Sequence, residues 1–201
     1  KRLVSAVIRR RVFVNLQAKK VIINYLLHKT NISKDLRKQL WLILADVYGN
    51  INIYKGLYDE LSFFMNNSLE SVKKLIIMDV RRTSSSLTDF QRDSLVQILF
   101  NFAKRNLRTS YCQGMNFIAE FLHVQIGFSE EETFWLLNYL VEVIGESNYS
   151  NMVNLLADMK IVSQLVEHSS GKNIETFKQS EFDLKMITLP WFITLFSKMK
   201  N

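Results

Sequence analysis

Apolar residues recur along this chain at intervals of three and four, the spacing that stacks side chains on one face of an α-helix. Val21, Ile22, Tyr25 and Leu26 share such a face. A break at 30–33, rich in capping residues, precedes a second stripe formed by Leu36, Leu40 and Ile43, with Trp41 beside it. A turn is expected around Asn50, then helices over 54–64 and 68–80. Residues 82–87 form a polar break rich in serine. Thr88 and Gln91 then have the spacing of a capping box, ahead of Leu95, Leu99 and Phe102 at helical intervals. Residues 106–110 interrupt the pattern again, and a helix is predicted over 113–125. Ser129 and Glu132 repeat the capping-box spacing before Phe134, Leu137, Tyr139 and Val143. After a break at 148–151, helices are predicted over 152–168 and, with a weaker pattern, over 174–186, separated by a loop at 169–173. One more helix is expected to start at Trp191 and run to 199. Residues 1–16 read both ways, as strand at Val12-Phe13-Val14 and as helix at Val4, Val7 and Ile8.

Composition supports long helices and few tight turns, because the 201 residues include one proline and six glycines. With 48% apolar residues the chain can bury a sizeable core. The predicted class is all-α, a single multi-helix domain with no internal repeat or linker. The pattern stops in mid-helix at residue 201, so the domain is expected to lack its last helices. The longest apolar run, 187–196, is too short to span a bilayer, and Arg9, Arg10 and Arg11 interrupt any signal-peptide core.

The net charge of +7 is unevenly spread. Residues 1–34 carry nine basic side chains and no acidic one, and the remainder carries 17 basic and 19 acidic, a balance of −2. Residues 1–30 therefore read as a basic N-terminal arm or helix, and 31–201 as the domain. Residues 1–20 could meet a peripheral membrane surface or an acidic partner; a solvated helix face explains the same charges. No nucleic acid is expected, because the arm carries no nucleic-acid motif. Cys112 is the single cysteine, which excludes an internal disulfide and fits a reducing, cytoplasmic compartment.

Signatures of a self-contained enzyme are missing. No Gly-rich phosphate loop occurs, and His28, His123 and His168 lack metal-ligand spacing, so neither a bound nucleotide nor a metal is expected. Cys112 as a nucleophile would need a base nearby, and His123 lies about 16 Å further along the same predicted helix. Two segments carry more specific chemistry. In Ile76-Ile77-Met78-Asp79-Val80-Arg81-Arg82-Thr83, Asp79 and Arg82 stand three apart at a helix end, where a carboxylate can hold a guanidinium. Taken alone, this segment reads better as an ordinary helix-end ion pair. In Tyr111-Cys112-Gln113-Gly114-Met115-Asn116, a polar break meets a helix N-terminus, whose free N–H groups would favour phosphate. Alone, this is equally a packed turn.

Together, Ile76-x-x-Asp79-x-x-Arg82-Thr83 and Tyr111-Cys112-Gln113-Gly114-Met115-Asn116 resemble the two signature motifs of the TBC domain, the Rab GTPase-activating fold. Leu36-Arg37-x-x-Leu40-Trp41, Phe134-Trp135-Leu136-Leu137 and Trp191-Phe192-x-Thr194-Leu195-Phe196 are similar to further segments of that family, in the same order, across roughly 31–201. The resemblance implies an all-α fold and a GTPase-activating protein that stimulates GTP hydrolysis on a Rab-type GTPase in vesicle trafficking. Arg82 would be the arginine finger, neutralising charge on the transferred phosphoryl group. Gln113 would replace the GTPase's own glutamine and orient the attacking water. Asp79 would orient Arg82, Tyr111 would support the glutamine loop, and Arg37 and Trp41 would support the site from the interior. GTP and Mg²⁺ would come with the GTPase, so no cofactor is implied for this chain. The chain departs from the family pattern at Ser110, where glycine is usual, at Ser84-Ser85-Ser86, where a proline often follows, and at Leu107, which follows Asn106 in place of proline. Those departures motivate an alternative, a catalytically inactive TBC scaffold that binds a GTPase or another protein.

Overall fold

A computed structural model describes residues 16–27, 32–64, 66–144, 149, 152–169 and 184–198. Ten α-helices and no strand occur among them. In chain order these are α1 (Leu16–Leu27), α2 (Lys34–Leu44), α3 (Val47–Ile53), α4 (Leu57–Phe63), α5 (Glu70–Thr83), α6 (Asp89–Arg105), α7 (Met115–Glu120), α8 (Glu130–Ile144), α9 (Val153–Ser169) and α10 (Leu184–Ile193).

The longest stripe of the sequence becomes the centre of the molecule. Along α6, Leu95, Ile98, Leu99, Phe102 and Ala103 are completely buried, and α4, α5, α7 and α8 pack around them. The burial extends to polar groups. Asn101 reaches the carbonyl of Tyr58 and the hydroxyl of Ser62, and Lys104 donates to the carbonyl of Leu61, so α4 is tied to the central helix by three hydrogen bonds from its polar side chains. Both capping boxes form: Thr88 with Gln91 at the start of α6, and Ser129 with Glu132 at the start of α8. α1 joins the domain through Ile22, which is buried against Leu40 and Ile43 of α2. The expected face of Tyr25 and Leu26, the reading of residues 1–15, and most of the helix expected over 174–186 fall outside the described side chains and residues.

Four details differ from the sequence expectation. Asn50 lies inside α3 and does not break it; its side chain donates to the carbonyl of Asp46, which takes the left-handed backbone (φ 52°) that separates α2 from α3. α5 runs through Thr83, so Arg82 stands on its last turn and the polar break starts at Ser84. Trp191 lies inside α10 instead of starting a helix. That helix ends where the Thr194 hydroxyl donates to the carbonyl of Pro190 and Leu195 and Phe196 adopt left-handed backbone (φ 49° and 62°). The segment expected as one helix over 113–125 is α7 followed by a wider, π-helical turn over Phe121–Ile126. No helix among the described residues is long and apolar enough to cross a membrane.

Candidate functional site

The site begins with the turn between α5 and α6. Only residues 84–88 connect the two helices, so they pack as antiparallel neighbours. The last carbonyls of α5 lack helical partners. Arg92, one turn into α6, reaches back and donates to the carbonyls of Val80, Arg81 and Ser84. This clamp fixes the helix end that presents Arg82.

Asp79, one turn before the end of α5, is 3% exposed. One carboxylate oxygen accepts from Arg82 Nη2 at 2.6 Å, and the other accepts from the Tyr111 hydroxyl at 2.9 Å. A buried carboxylate requires such compensation. Arg82 is otherwise open: its side chain is 64% exposed, and Nε makes a long bond to the Met78 carbonyl. Burial, and next the charge of Asp79, push the Tyr111 hydroxyl well above the ordinary tyrosine range, so it acts as a donor at any physiological pH.

Tyr111 arrives at this carboxylate from the far end of α6, which is about 25 Å long at 1.5 Å per residue. The chain turns at Asn106, whose amide donates to the Asn138 side chain and to the Phe102 carbonyl. Residues 107–111 then run back along α6. Ser110 bends this segment with φ 51°, its N–H bonded to the Asn106 carbonyl at 2.6 Å. A serine in left-handed backbone is strained, and its buried hydroxyl lacks a hydrogen-bond partner. Ser110→Gly should therefore stabilise the domain. The relief of roughly 1–2 kcal/mol of backbone strain outweighs roughly 0.4–1 kcal/mol of added unfolded-state entropy. A rise of about 2–4 °C in Tm is expected for a chain of this length; an unchanged or lower Tm would refute the strain.

Asn116 closes the network, and sequence reasoning gave it no separate role. Its Oδ1 accepts the Gly114 N–H at 3.1 Å, and its Nδ2 donates to Thr83 Oγ1 at 2.8 Å. Thr83 in turn donates its hydroxyl proton to the Asp79 carbonyl at 2.8 Å. Asn116 Oδ1 also lies 3.2 Å from the Tyr111 hydroxyl, whose one proton goes to the closer, charged Asp79. The end of α5 and the turn at 111–116 are thus held by one set of buried polar groups. Gly114 has φ 110°, and a Cβ there would stand 3.1 Å from two side-chain carbons of Ile193, so α10 packs directly on the turn.

Gln113 projects from this turn and is exposed, between buried Cys112 and buried Gly114. Part of this helix N-terminus is engaged within the turn itself. Gly114 donates to Asn116 and Met115 donates to the Cys112 carbonyl, both within the turn. Cys112 is buried, and burial raises its thiol above the usual range, away from the nucleophilic thiolate form. His123 is held by the Phe128 carbonyl through Nδ1.

A groove of about 1150 Å³ runs beside Arg82. Trp41, Phe117, Phe121 and Leu140 contribute apolar surface to it, and Ser84, Ser85 and Lys198 line it with Arg82. Trp41 thus faces the groove, with its ring against Phe128 at 6.4 Å. Arg37 departs from its expected interior position. It is exposed on α2 and makes no bond to the Asp79 network among the described residues. Leu40, one turn on, is buried against α1 instead, and Arg37 flanks that buried stripe on the solvated edge of α2. Among the described residues no group of acidic, His or Cys side chains could hold a metal ion.

The chain is similar to growth hormone-regulated TBC protein 1 of Homo sapiens, 29% identical over 168 residues that make up 80% of this chain and 49% of the relative. It is 25% identical over 176 residues to the protein of the same name from Xenopus tropicalis, covering 84% of this chain and 51% of that protein. With GTPase-activating protein gyp2 of Schizosaccharomyces pombe it shares 26% identity over 176 residues, 85% of this chain and 24% of the relative. The chain thus spans about half the length, or less, of these relatives. Its fold is similar to the crystal structure of the Chlamydomonas flagellar RabGAP TBC domain, with a TM-score of 0.74 at 22% identity, over 96% of this chain and 64% of that one. The Ypt/Rab-GAP domain of Gyp1p gives a TM-score of 0.67 at 21% identity, over 82% of this chain and 65% of that one. The Rab-GTPase-TBC domain model matches residues 34–201, which include the helix end bearing Asp79 and Arg82 and the turn bearing Tyr111 and Gln113, and the chain belongs to that family.

Proposed function

We propose that this domain accelerates GTP hydrolysis on a Rab-type small GTPase, with Arg82 as arginine finger and Gln113 as the group that orients the attacking water. The observation that carries this reading is the shared anchor. One buried carboxylate, Asp79, holds both the Arg82 guanidinium and the Tyr111 hydroxyl, two residues before Gln113. Phosphoryl transfer asks a protein mainly for positioning and electrostatics, and an exposed guanidinium on a clamped helix end supplies both. Nothing in this chain needs to bind nucleotide by itself. GTP and Mg²⁺ arrive with the GTPase, and the groove beside Arg82 offers apolar surface for it.

The alternative is a TBC scaffold that binds a GTPase without catalysis. The strained Ser110 favours it, because that residue shapes the loop that carries Gln113. Single-turnover GTP hydrolysis by a panel of purified Rab proteins, with the chain added and with the Arg82→Ala/Gln113→Ala double variant added, separates the two. Stimulation by the native chain alone supports catalysis. Binding of a Rab protein without stimulation supports the scaffold.

A further inference from the structure

We infer that Ser85 is a phosphorylation site for an arginine-directed protein kinase, and that its phosphate captures Arg82; the consequence for GTPase activation rests on the function proposed above. The segment Arg81-Arg82-Thr83-Ser84-Ser85 places Arg82 three residues and Arg81 four residues before Ser85. Both arginines are exposed, as an acidic kinase cleft that reads basic residues upstream of its target requires.

The three consecutive serines are not equivalent. The hydroxyls of Ser84 and Ser86 are bonded to each other at 2.8 Å, and the Ser86 N–H also donates to Ser84 Oγ. Ser85 is exposed, and its hydroxyl has no hydrogen bond among the described residues. It sits in the turn between α5 and α6, where a connecting segment can adapt to a kinase more readily than a helix can. In the transfer, Ser85 Oγ forms a bond to the γ-phosphorus of ATP while the bond from that phosphorus to the bridging β–γ oxygen breaks. ADP leaves, and the hydroxyl proton passes to the kinase base.

The product would place nearly two negative charges in the groove that Ser85 shares with Arg82 and Lys198. Arg82 is held by Asp79 through Nη2 and by the Met78 carbonyl through Nε, and its exposed Nη1 is open to a second anion. The groove's acidic residue, Glu120, is engaged at both oxygens by Gln125. A phosphoserine there competes for the guanidinium that a nucleotide phosphate would need.

The test treats the full chain with ATP and the catalytic subunit of an arginine-directed serine kinase, and maps the phosphate by fragmentation mass spectrometry. Modification at Ser85, lost in Ser85→Ala and in Arg82→Ala, is the expected result. No incorporation, or label confined to Ser84 or Ser86, overturns the site. Capture of Arg82 is read separately by ³¹P NMR, with phosphoserine placed at 85 by genetic encoding. The second phosphate pKa, about 6, should fall by about one unit and return in the Arg82→Ala background. Identical titrations in the two backgrounds overturn the capture. Stimulated GTP hydrolysis should fall at least about tenfold on modification. If the unmodified chain stimulates no GTPase, the proposed function fails while the mapping and NMR results still decide this inference. If the unmodified chain stimulates and the phosphorylated chain does so equally, this inference fails alone.

Discussion

Replacing Arg82 with alanine is expected to lower the stimulated rate of GTP hydrolysis by about 10³-fold or more, the range that an arginine finger supplies to a small GTPase. The loss should appear in the rate at saturating GTPase and leave the affinity between the two proteins within a few-fold. The reason is that Arg82 is largely exposed and contributes only part of the groove surface. Its value lies in charge that develops on the transferred phosphoryl group, which the ground state lacks. Arg82→Lys should be nearly as impaired. An ammonium keeps the charge but cannot stay on Asp79 with one edge while presenting a planar fork with the other. Stability should fall by roughly 1.5–3 kcal/mol in Arg82→Ala, because Asp79 loses its charged partner and keeps only the Tyr111 hydroxyl. A stimulated rate within threefold of the native value, in a variant that still melts cooperatively, would remove Arg82 from the mechanism.

The parts of this molecule that were legible in sequence are those decided by local periodicity and local caps. The stripe Leu95, Leu99, Phe102 specified the central helix, and Thr88 with Gln91 marked its start, because both signals depend on residues within a few turns. Asn50 misled because asparagine at a turn and asparagine that bonds back one helical turn look alike in sequence; here its amide bonds back to the Asp46 carbonyl. Trp191 misled for a related reason. Pro190 reads as a helix opening, yet α10 carries it internally and closes on Thr194, a stop that depends on a side-chain hydroxyl and two left-handed residues. Asp79, Arg82, Tyr111 and Gln113 could be singled out as motifs, and the structure joins the first three through one carboxylate. Arg92 and Asn116 could not be singled out by role. Each acts across the turn or across the helix pair, on backbone groups whose lack of partners is visible only in three dimensions. Arg37 was misplaced because helical spacing gives the buried face of α2 but not which of its flanking positions meets the site.

Asn116→Ala carries the second large effect, and it separates holding the turn from donating to the GTPase. Asn116 is 2% exposed and touches no groove surface, so it can act only through the groups it bonds. Alanine leaves the buried Gly114 N–H without its acceptor and the Thr83 hydroxyl without its donor. One buried and one part-buried polar group deprived together should cost roughly 1.5–3 kcal/mol, measured as a shift in the urea midpoint at constant slope. The stimulated GTPase rate, measured well below the transition, should fall about tenfold, because the turn that carries Gln113 loses its tie to α5. Thr83→Val removes the partner hydroxyl without disturbing the Gly114 bond, so the double variant should be less destabilised than the sum of the singles by about 1 kcal/mol. A purely additive pair would show that the Asn116–Thr83 bond is not what joins the two segments. Full activity in a destabilised Asn116→Ala domain would show that Gln113 is positioned without this network, leaving Asp79 and Tyr111 as the whole link between the finger and the turn.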